Sequence, residues 1–237
     1  MNSSDDLARL RQEYEHRKHR LAGSDLYSWF NPANLFTIQQ RQRLMLKVLK
    51  KHGFSDLSKS RILEMGCGSG GVLAQFLEFG ASPGNLFGVD LLFERLAEAH
   101  HRLPGSPLIN ADGQCLPFSS RSFDLVMQFT ALSSVLDANI REVICRDMLR
   151  VLKPGGLLLW YDFWINPTNI QTRGIRLAEI KRLFPNSSYE CHRITLAPPI
   201  TRRIVPISWI LALFLENLDI FNSHYLVVIQ PRQDSGV

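Results

Sequence analysis

The segment from Ile62 to Gly71, with the sequence ILEMGCGSGG, is the feature that most constrains the fold of this chain. A short apolar run leads into glycines at alternate positions, Gly66, Gly68 and Gly70. Because glycine tolerates a positive φ and lets a ligand approach the backbone, the pattern predicts a sharp turn between a buried parallel strand and a helix. Asp90 ends the next apolar run, where its carboxylate can accept hydrogen bonds from both hydroxyls of a ribose. The two features together predict a ribose-bearing ligand.

The identity of that ligand depends on the residues around the glycines. Gly66, Gly68 and Gly71 also satisfy the G-x-G-x-x-G fingerprint, so a nicotinamide-dependent enzyme is an alternative. Glu64 argues against it, because a carboxylate facing the turn repels a pyrophosphate. A cationic ligand is favoured there, and S-adenosylmethionine carries a sulfonium and an ammonium group. Asp112 follows a third apolar run and can accept a hydrogen bond from an adenine amino group.

The segment 61–160 resembles a class I S-adenosylmethionine-dependent methyltransferase. The resemblance rests on the glycine loop with Glu64, on Asp90 and Asp112, on the fourth-strand motif 123–126 and on the turn 152–156. It implies an α/β fold with a doubly wound, mostly parallel seven-stranded sheet, and S-adenosylmethionine as the cofactor. It also implies a set of residues in contact with that cofactor: Glu64, Gly66, Cys67, Gly68, Gly70, Asp90, Leu91, Ala111, Asp112, Gly113 and Gln128.

Length and composition agree with one catalytic domain, and the resemblance implies a methyltransferase domain over residues 56–237, preceded by a helical N-terminal extension, residues 1–55. Strands are expected near 61–65, 85–90, 107–110, 123–129, 157–163, 190–195 and 224–229, the last of them antiparallel if the resemblance holds. Helices are expected near 4–19, 35–52, 71–79, 93–102 and 138–151. The apolar segment 204–215 is too short for a membrane span. A buried helix is favoured for it, with a wall of the substrate pocket or a contact with a bilayer surface as alternatives.

The N-terminal extension carries the surplus of positive charge, since residues 1–60 contain eleven Lys and Arg against six Asp and Glu. A solvated helix face is favoured over a phosphate-binding surface as its explanation. An aromatic stretch around Tyr27 and Phe30 leads to Asn31 and the second helix. These three residues either pack on the core or form a lid over the substrate, and in the second case they are substrate-binding residues.

Methyl transfer needs alignment of the acceptor and, for a hydroxyl acceptor, a base. Asp162 and Tyr161 follow the fifth strand and are the expected catalytic residues, although a turn-capping role for Asp162 is an equal alternative. Thr130 and Ser133, after the fourth strand, are suited to binding a small polar acceptor. That strand lacks the Asn/Asp-Pro-Pro-aromatic run of nucleic-acid N-methyltransferases, which disfavours a nucleic-acid partner.

The expected function is methyl transfer to an oxygen of a small molecule or a sugar or glycan intermediate. The alternatives are carbon methylation of a prenylated quinone or other lipid-like precursor, and a non-catalytic cofactor-binding subunit. Four scattered cysteines and the absence of a signal-peptide pattern predict reduced thiols, no metal and a cytoplasmic location. A peripheral membrane contact, the acceptor atom and the oligomeric state are left open.

Overall fold

The computed structural model describes residues 3–21, 23–166, 169 and 171–232. Within them, seven strands form one sheet in the order β3-β2-β1-β4-β5-β7-β6. Strands β3, β2, β1, β4 and β5 are parallel neighbours, whereas β7 runs antiparallel to both β5 and β6. This arrangement confirms the predicted fold class. The strands are β1 Ile62–Met65, β2 Leu86–Asp90, β3 Leu108–Asn110, β4 Phe123–Phe129, β5 Leu152–Phe163, β6 Ser187–Leu196 and β7 Asn222–Pro231.

Helices cover both faces of the sheet. One face packs against α2, α3 and α4, and the other against α5 and α6. Side chains at alternate positions of the central strands supply the two cores, so that Leu159 lies in the first core and Trp160 in the second. The helices are α1 Ser3–Leu21, α2 Pro32–Lys51, α3 Gly71–Glu78, α4 Phe93–Arg102, α5 Ala138–Val151, α6 Leu177–Leu183, α7 Pro198–Ile204 and α8 Trp209–Asn217.

The order of the strands reverses at β1, which lies between β2 and β4. The parallel register places Met65 at the end of β1 opposite Val89 in β2 and Gln128 in β4. Crevices at such a reversal, outside the carboxyl ends of the strands, are where ligands bind in open α/β sheets. The loop after β1 therefore opens directly into the expected binding crevice.

Strand β5 begins earlier than expected. The segment Pro154–Gly156 was expected to be a turn before a strand starting at residue 157, but it lies inside β5. Leu152 pairs with Phe123 and Leu157 pairs with Leu125, so the intervening residues form an irregularity in the register. The first pairing is a tertiary contact that no local pattern indicates.

The apolar segment 204–215 was expected to form one buried helix, and this is wrong. The structure has two helices, α7 and α8, on either side of Pro206, and Ala212 is the one buried residue of α8. Helix α8 is apolar on nearly all sides and packs at an edge of the fold, so one of its apolar sides is exposed to solvent. None of the helices in the described ranges has the length and the apolar character that crossing a membrane requires. The boundary predicted at residue 55 between an extension and a domain stays a prediction.

Candidate functional site

A cavity lies at the reversal of strand order, above the carboxyl ends of β1, β2, β3 and β4. Residues from the loop after each of these strands line it, together with α5 and one side chain of α1. The lining residues are Tyr14, Met65, Gly66, Val89, Asp90, Leu91, Leu92, Ala111, Asp112, Gly113, Gln114, Ala131, Ser134, Val135, Ile140 and Ile144. Most of them are apolar, and the carboxylates come from the ends of β2 and β3.

The glycine loop owes its shape to backbone conformations that other residues rarely adopt. The φ angles are +72° at Gly66, +54° at Gly68 and +73° at Gly70. A Cβ added at Gly66 would lie 2.4 Å from the Cβ of Ala131, and one at Gly68 would lie 2.2 Å from Nη2 of Arg95. The loop therefore packs closely against the turn after β4 and against α4, and a side chain at Gly66 would displace Ala131, which lines the cavity.

Asp90 fixes the loop and faces the cavity. Its Oδ2 accepts a hydrogen bond from the backbone N–H of Gly68 at 2.7 Å, and its Oδ1 accepts one from Leu92 N–H at 2.9 Å. The side chain is buried, yet each carboxylate oxygen can accept a further hydrogen bond. Asp90 is thus held in one orientation with acceptor capacity left for a ligand.

The side chains of Glu64 and Arg41 lie near each other beside the glycine loop, and each has a polar atom without a hydrogen-bond partner among the described residues. Burial raises the pKa of Glu64 to about 8, and Asp90 adds to the shift while Arg41 and Arg95 oppose it. Glu64 Oε2 and Arg41 Nε are buried and have no hydrogen-bond partner in the part of the chain that the structure describes. Buried polar groups are usually paired, so these two atoms are available to form hydrogen bonds with a ligand.

An aromatic cluster lies at the ends of β4 and β5. The guanidinium carbon of Arg41 is 5.4 Å from the ring centre of Tyr161 and 5.7 Å from that of Phe129. Tyr161 stacks on the imidazole of His224 with 4.8 Å between ring centres, and its hydroxyl lies 2.7 Å from Thr195 Oγ1. Burial raises the pKa of Tyr161 above its usual value, and burial followed by the charge of Arg41 lowers the pKa of His224 to about 3. Both groups are therefore uncharged at neutral pH.

Asp162 and Gln128 lie beneath the turn that follows β4. Asp162 is fully buried, its Oδ2 accepts from Ser133 N–H at 2.9 Å, and its Oδ1 accepts from Phe163 N–H at 2.8 Å. Gln128 Oε1 accepts from Ala131 N–H at 3.1 Å. Burial raises the pKa of Asp162 to about 6, although its hydrogen bonds oppose the shift. This turn contributes Ala131 and Ser134 to the cavity lining. Asp162 and Gln128 therefore influence the shape of the cavity by holding the turn in place.

Helix α1 covers the cavity from the solvent side. Tyr14 lines the cavity, and the guanidinium carbon of Arg95 lies 4.7 Å from the centre of its ring. Arg9 donates through Nη2 to the carbonyl oxygen of Ser134 at 2.6 Å and through Nη1 to Oε1 of Gln171 at 3.1 Å. The helix is thus attached both to α4 and to the turn after β4.

The structure brings together about half of the cofactor residues implied by the resemblance. Those that line the cavity are Gly66, Asp90, Leu91, Ala111, Asp112 and Gly113. Glu64 and Gly68 lie in or beside the glycine loop, whereas Gly70 packs on α4, Cys67 packs against Gly88, and Gln128 supports the turn after β4. Contact of these residues with a cofactor stays a prediction.

The substrate residues expected from the N-terminal extension lie outside the cavity lining. Tyr27 and Phe30 are exposed to 59% and 96%, and Asn31 caps α2 by accepting hydrogen bonds from Ala33 and Asn34 N–H. Thr130 has a φ of +55° and bonds the carbonyl oxygen of Phe129, and the N–H of Ser133 bonds Asp162. Substrate binding by these five residues stays a prediction, as does catalysis by Tyr161 and Asp162.

Sequence reasoning missed Tyr14, Arg41 and Arg95. Each lies on a helix, α1, α2 or α4, where basic and polar residues are most often solvated, and none belongs to a motif. The packing of these helices over the strand ends brings Tyr14 to the cavity, Arg95 onto the Tyr14 ring, and Arg41 close to Glu64 and Tyr161.

Comparison with known proteins identifies the segment that carries the site. Residues 63–160 match the family model described as a methyltransferase domain. A 116-residue segment is 35% identical to phthiotriol/phenolphthiotriol dimycocerosates methyltransferase 1 of Mycobacterium ulcerans, and covers 48% of this chain and 41% of that protein. A 110-residue segment is 34% identical to fatty-acid O-methyltransferase of Mycolicibacterium smegmatis, and covers 46% of this chain and 39% of that protein. The chain thus matches about two fifths of the length of these relatives.

Among solved structures, a SAM-dependent methyltransferase from Methanosarcina mazei superposes with a TM-score of 0.55. The match covers 78% of this chain and 98% of that chain, at 18% sequence identity. At this identity the likeness concerns the fold.

Proposed function

We propose that this chain, whose residues 63–160 match the methyltransferase-domain family, is an S-adenosylmethionine-dependent enzyme that methylates an oxygen of a small lipid-like molecule. The observation that carries the proposal is the cavity at the reversal of strand order, with Asp90 and Asp112 at neighbouring strand ends above the glycine loop. Two relatives named for lipid substrates, a dimycocerosate and a fatty acid, support the lipid-like character of the acceptor.

The residues present fit the cofactor. Asp90 is a buried carboxylate with spare acceptor capacity, as the two hydroxyls of a ribose require. Asp112 lies at the exposed side of the same cavity, and apolar side chains such as Ile140 and Ile144 form a wall suited to an adenine ring. Glu64 would hold the ammonium group, since its Oε2 lacks a partner among the described residues. When bound, the cofactor supplies a methyl group that is activated by its sulfonium charge.

The residues around Tyr161 restrict the acceptor. Tyr161 and His224 are uncharged at neutral pH, and Asp162 is fully buried beneath the turn after β4, outside the cavity lining. A phenol with a raised pKa and an imidazole with a pKa of about 3 are poor bases near pH 7. An acceptor that is already an anion needs no base. The bound cofactor would supply the activated methyl group for such an oxygen, and no residue of this chain would have to remove a proton.

A carboxylate on an apolar chain therefore suits this side of the site best. Arg41, which lies over the rings of Phe129 and Tyr161 and has an unpaired Nε among the described residues, would hold the carboxylate by charge-assisted hydrogen bonds. The two aromatic rings supply apolar surface for the adjoining chain. In this arrangement Asp162 positions the turn after β4 and does not remove a proton.

The test is an acceptor panel with methyl-labelled S-adenosylmethionine and the purified protein. The panel contains a saturated medium-chain fatty acid, the matching alcohol, a prenylated phenol and a uronic acid. We expect a methyl ester from the fatty acid and no label in the alcohol. Arg41→Met should lower kcat/KM for the acid roughly 10- to 100-fold, since a hydrogen bond to a charged group is lost.

Arg43→Met is the matched control, because Arg43 lies two positions further along α2 and its side chain is 63% exposed. It should leave kcat/KM unchanged. Label in the alcohol, the phenol or the sugar but not in the fatty acid would contradict the proposed acceptor, and label on a ring carbon of the phenol would favour carbon methylation instead.

A further inference from the structure

Helix α8 presents an apolar stripe to solvent. Ile207 lies in the turn before α8, Ile210, Leu211 and Phe214 share one side of the helix, and Leu218 directly follows its last residue. Their exposed fractions are 81%, 81%, 42%, 58% and 41%. Large apolar side chains clustered in this way mark a surface that binds another molecule or a membrane.

The other side of α8 is already covered. Ala212 is buried, and the Trp209 ring packs edge-on against Phe36 of α2, with 5.0 Å between ring centres. Leu213 and Leu215 join the same cluster. The helix is therefore apolar on two sides, and the fold uses one of them.

Basic side chains border the stripe. Arg202 and Arg203 are exposed at the end of α7, and the neighbouring helix α2 exposes Arg43, Lys47 and Lys50. Helix α2 contains five Lys and Arg and no acidic residue, and Nη2 of Arg43 lies 4.0 Å from Glu216 Oε2 of α8. Asp219 is an exposed acidic residue close to the stripe in sequence, so the balance of charge is positive.

An aromatic segment leads into the same part of the molecule. Tyr27, Trp29 and Phe30 are exposed to 59%, 57% and 96% and immediately precede α2. The first turns of α2 pack on α7 and α8 through Ala33 and Phe36. Trp and Tyr side chains are enriched where a protein meets the headgroup region of a bilayer.

We propose that the α8 stripe, Ile207 to Leu218, with the bordering Arg202 and Arg203, binds the surface of an anionic lipid bilayer. Apolar side chains on one side of a helix, with Lys and Arg beside them, are the composition of helices that lie in a membrane interface. The positive border complements anionic headgroups, and it has no such complement in a second copy of the same surface. The chain would thus bind at the membrane surface without crossing it.

The experiment is flotation of the full chain with vesicles of phosphatidylcholine alone or with phosphatidylglycerol added. We expect stronger binding to the anionic vesicles. Ile210→Glu combined with Phe214→Glu should lower the partition coefficient at least about tenfold, because two large apolar side chains no longer enter the interface. Arg202→Gln combined with Arg203→Gln should lower it roughly fivefold for each charge removed, on the anionic vesicles only.

Val143→Glu is the control, since Val143 is 37% exposed on α5, which packs on the opposite face of the sheet. It should bind as the wild type does. Thermal melting checks that each variant is folded, and the Arg202 and Arg203 variant changes only exposed side chains. The proposal is overturned if the wild type binds neither kind of vesicle, or if the stripe variants bind as well as the wild type. It is also overturned if the wild type is a dimer and the stripe variants are monomers. Neither cofactor nor acceptor is present, so the result is independent of the proposed reaction.

Discussion

Glu64 is a buried carboxyl group whose ionisation depends on its neighbours. Its pKa of about 8 in the folded protein lies above its ordinary value of 4.5, because burial penalises the charged form. The folded state therefore retains the proton more strongly than the unfolded state, and this group lowers stability as the pH rises from about 4.5 to 8. A ligand ammonium group reverses the preference by favouring the carboxylate.

We expect the binding of S-adenosylmethionine to release a proton from Glu64. The affinity for S-adenosylmethionine should rise by up to tenfold per pH unit between about pH 6 and 7.5. This range lies below the pH at which the ligand's own amino group titrates. Titration calorimetry in buffers of different ionisation enthalpy measures the proton release directly. Glu64→Gln, which keeps the shape of the side chain, should abolish it. A wild-type affinity that does not change over this range would show that Glu64 does not hold the ammonium group.

A substitution at Asp162 distinguishes two roles for this residue, holding the turn after β4 in place or removing a proton from the acceptor. Asp162→Asn leaves one of two buried backbone N–H groups without an acceptor, so we expect a loss of about 1 to 3 kcal/mol in the free energy of unfolding. Methyl transfer per folded molecule should change less than about tenfold. Denaturant unfolding and the pH dependence of turnover provide the measurements.

Asp137→Asn is the matched substitution, because Asp137 also accepts two backbone hydrogen bonds, at the start of α5, where it is in solvent and Asn caps equally well. It should alter neither quantity. A loss of 10²- to 10⁴-fold in turnover for Asp162→Asn, with an inflection of the wild-type profile near pH 6, would instead assign Asp162 as the base.

Among the elements, those with continuous local signals were predicted closely. Strands β1, β2 and β4 are apolar runs bounded by turn residues, and helices α4 and α5 were expected at the observed residues. Helix α2 begins at Pro32, three residues before its expected start, because Asn31 and Pro32 form the cap that the apolar pattern alone does not show. The sequence pattern did not predict features that depend on contacts with distant residues. The register shift of β5 and the exposure of α8 are two such features.

The residues of the candidate site also fall into those that the sequence predicts and those that it does not. The glycines and the acids at strand ends are predictable, because their positions follow from the backbone of a parallel sheet. The side chains that close the site, Tyr14, Arg41 and Arg95, are placed by helix packing, and their spacing in sequence carries no signal.

Helix α1 is the element whose attachment should depend most on the ligand. Among its described side chains, Arg9 contacts the turn after β4 and Tyr14 contacts Arg95 of α4. We expect S-adenosylmethionine to slow tryptic cleavage after Arg11 and Arg20, because a ligand in the cavity adds contacts to the helix. Tyr14→Ala should remove much of this protection.

The control is cleavage after Arg232, at the end of the described chain and far from the cavity lining, which should not change with the ligand. Equal cleavage of α1 with and without the ligand would show that this helix does not close over the bound cofactor. Mass spectrometry of the fragments identifies each site.

At the scale of the whole molecule, one sheet separates two surfaces with different roles. The carboxyl ends of the parallel strands carry the cavity, α1 brings Tyr14 to it, and α2 places Arg41 over the ring of Tyr161 at the end of β5. The antiparallel strands β6 and β7 carry α7 and α8 between them, and these helices expose the apolar stripe. The proposed lipid-like acceptor would link the two surfaces, because such molecules reside in membranes.

The central claim is that the cavity binds S-adenosylmethionine through Asp90, and titration calorimetry on the wild type and Asp90→Ala tests it most directly. We expect the wild type to bind S-adenosylmethionine and not a nicotinamide dinucleotide. Asp90→Ala should weaken binding by about 1.5 to 3 kcal/mol, since charge-assisted hydrogen bonds are lost. Asp56→Ala, which removes an exposed carboxylate elsewhere, should bind as the wild type does. Wild-type affinity in a folded Asp90→Ala protein, or tighter binding of the dinucleotide, would contradict the account.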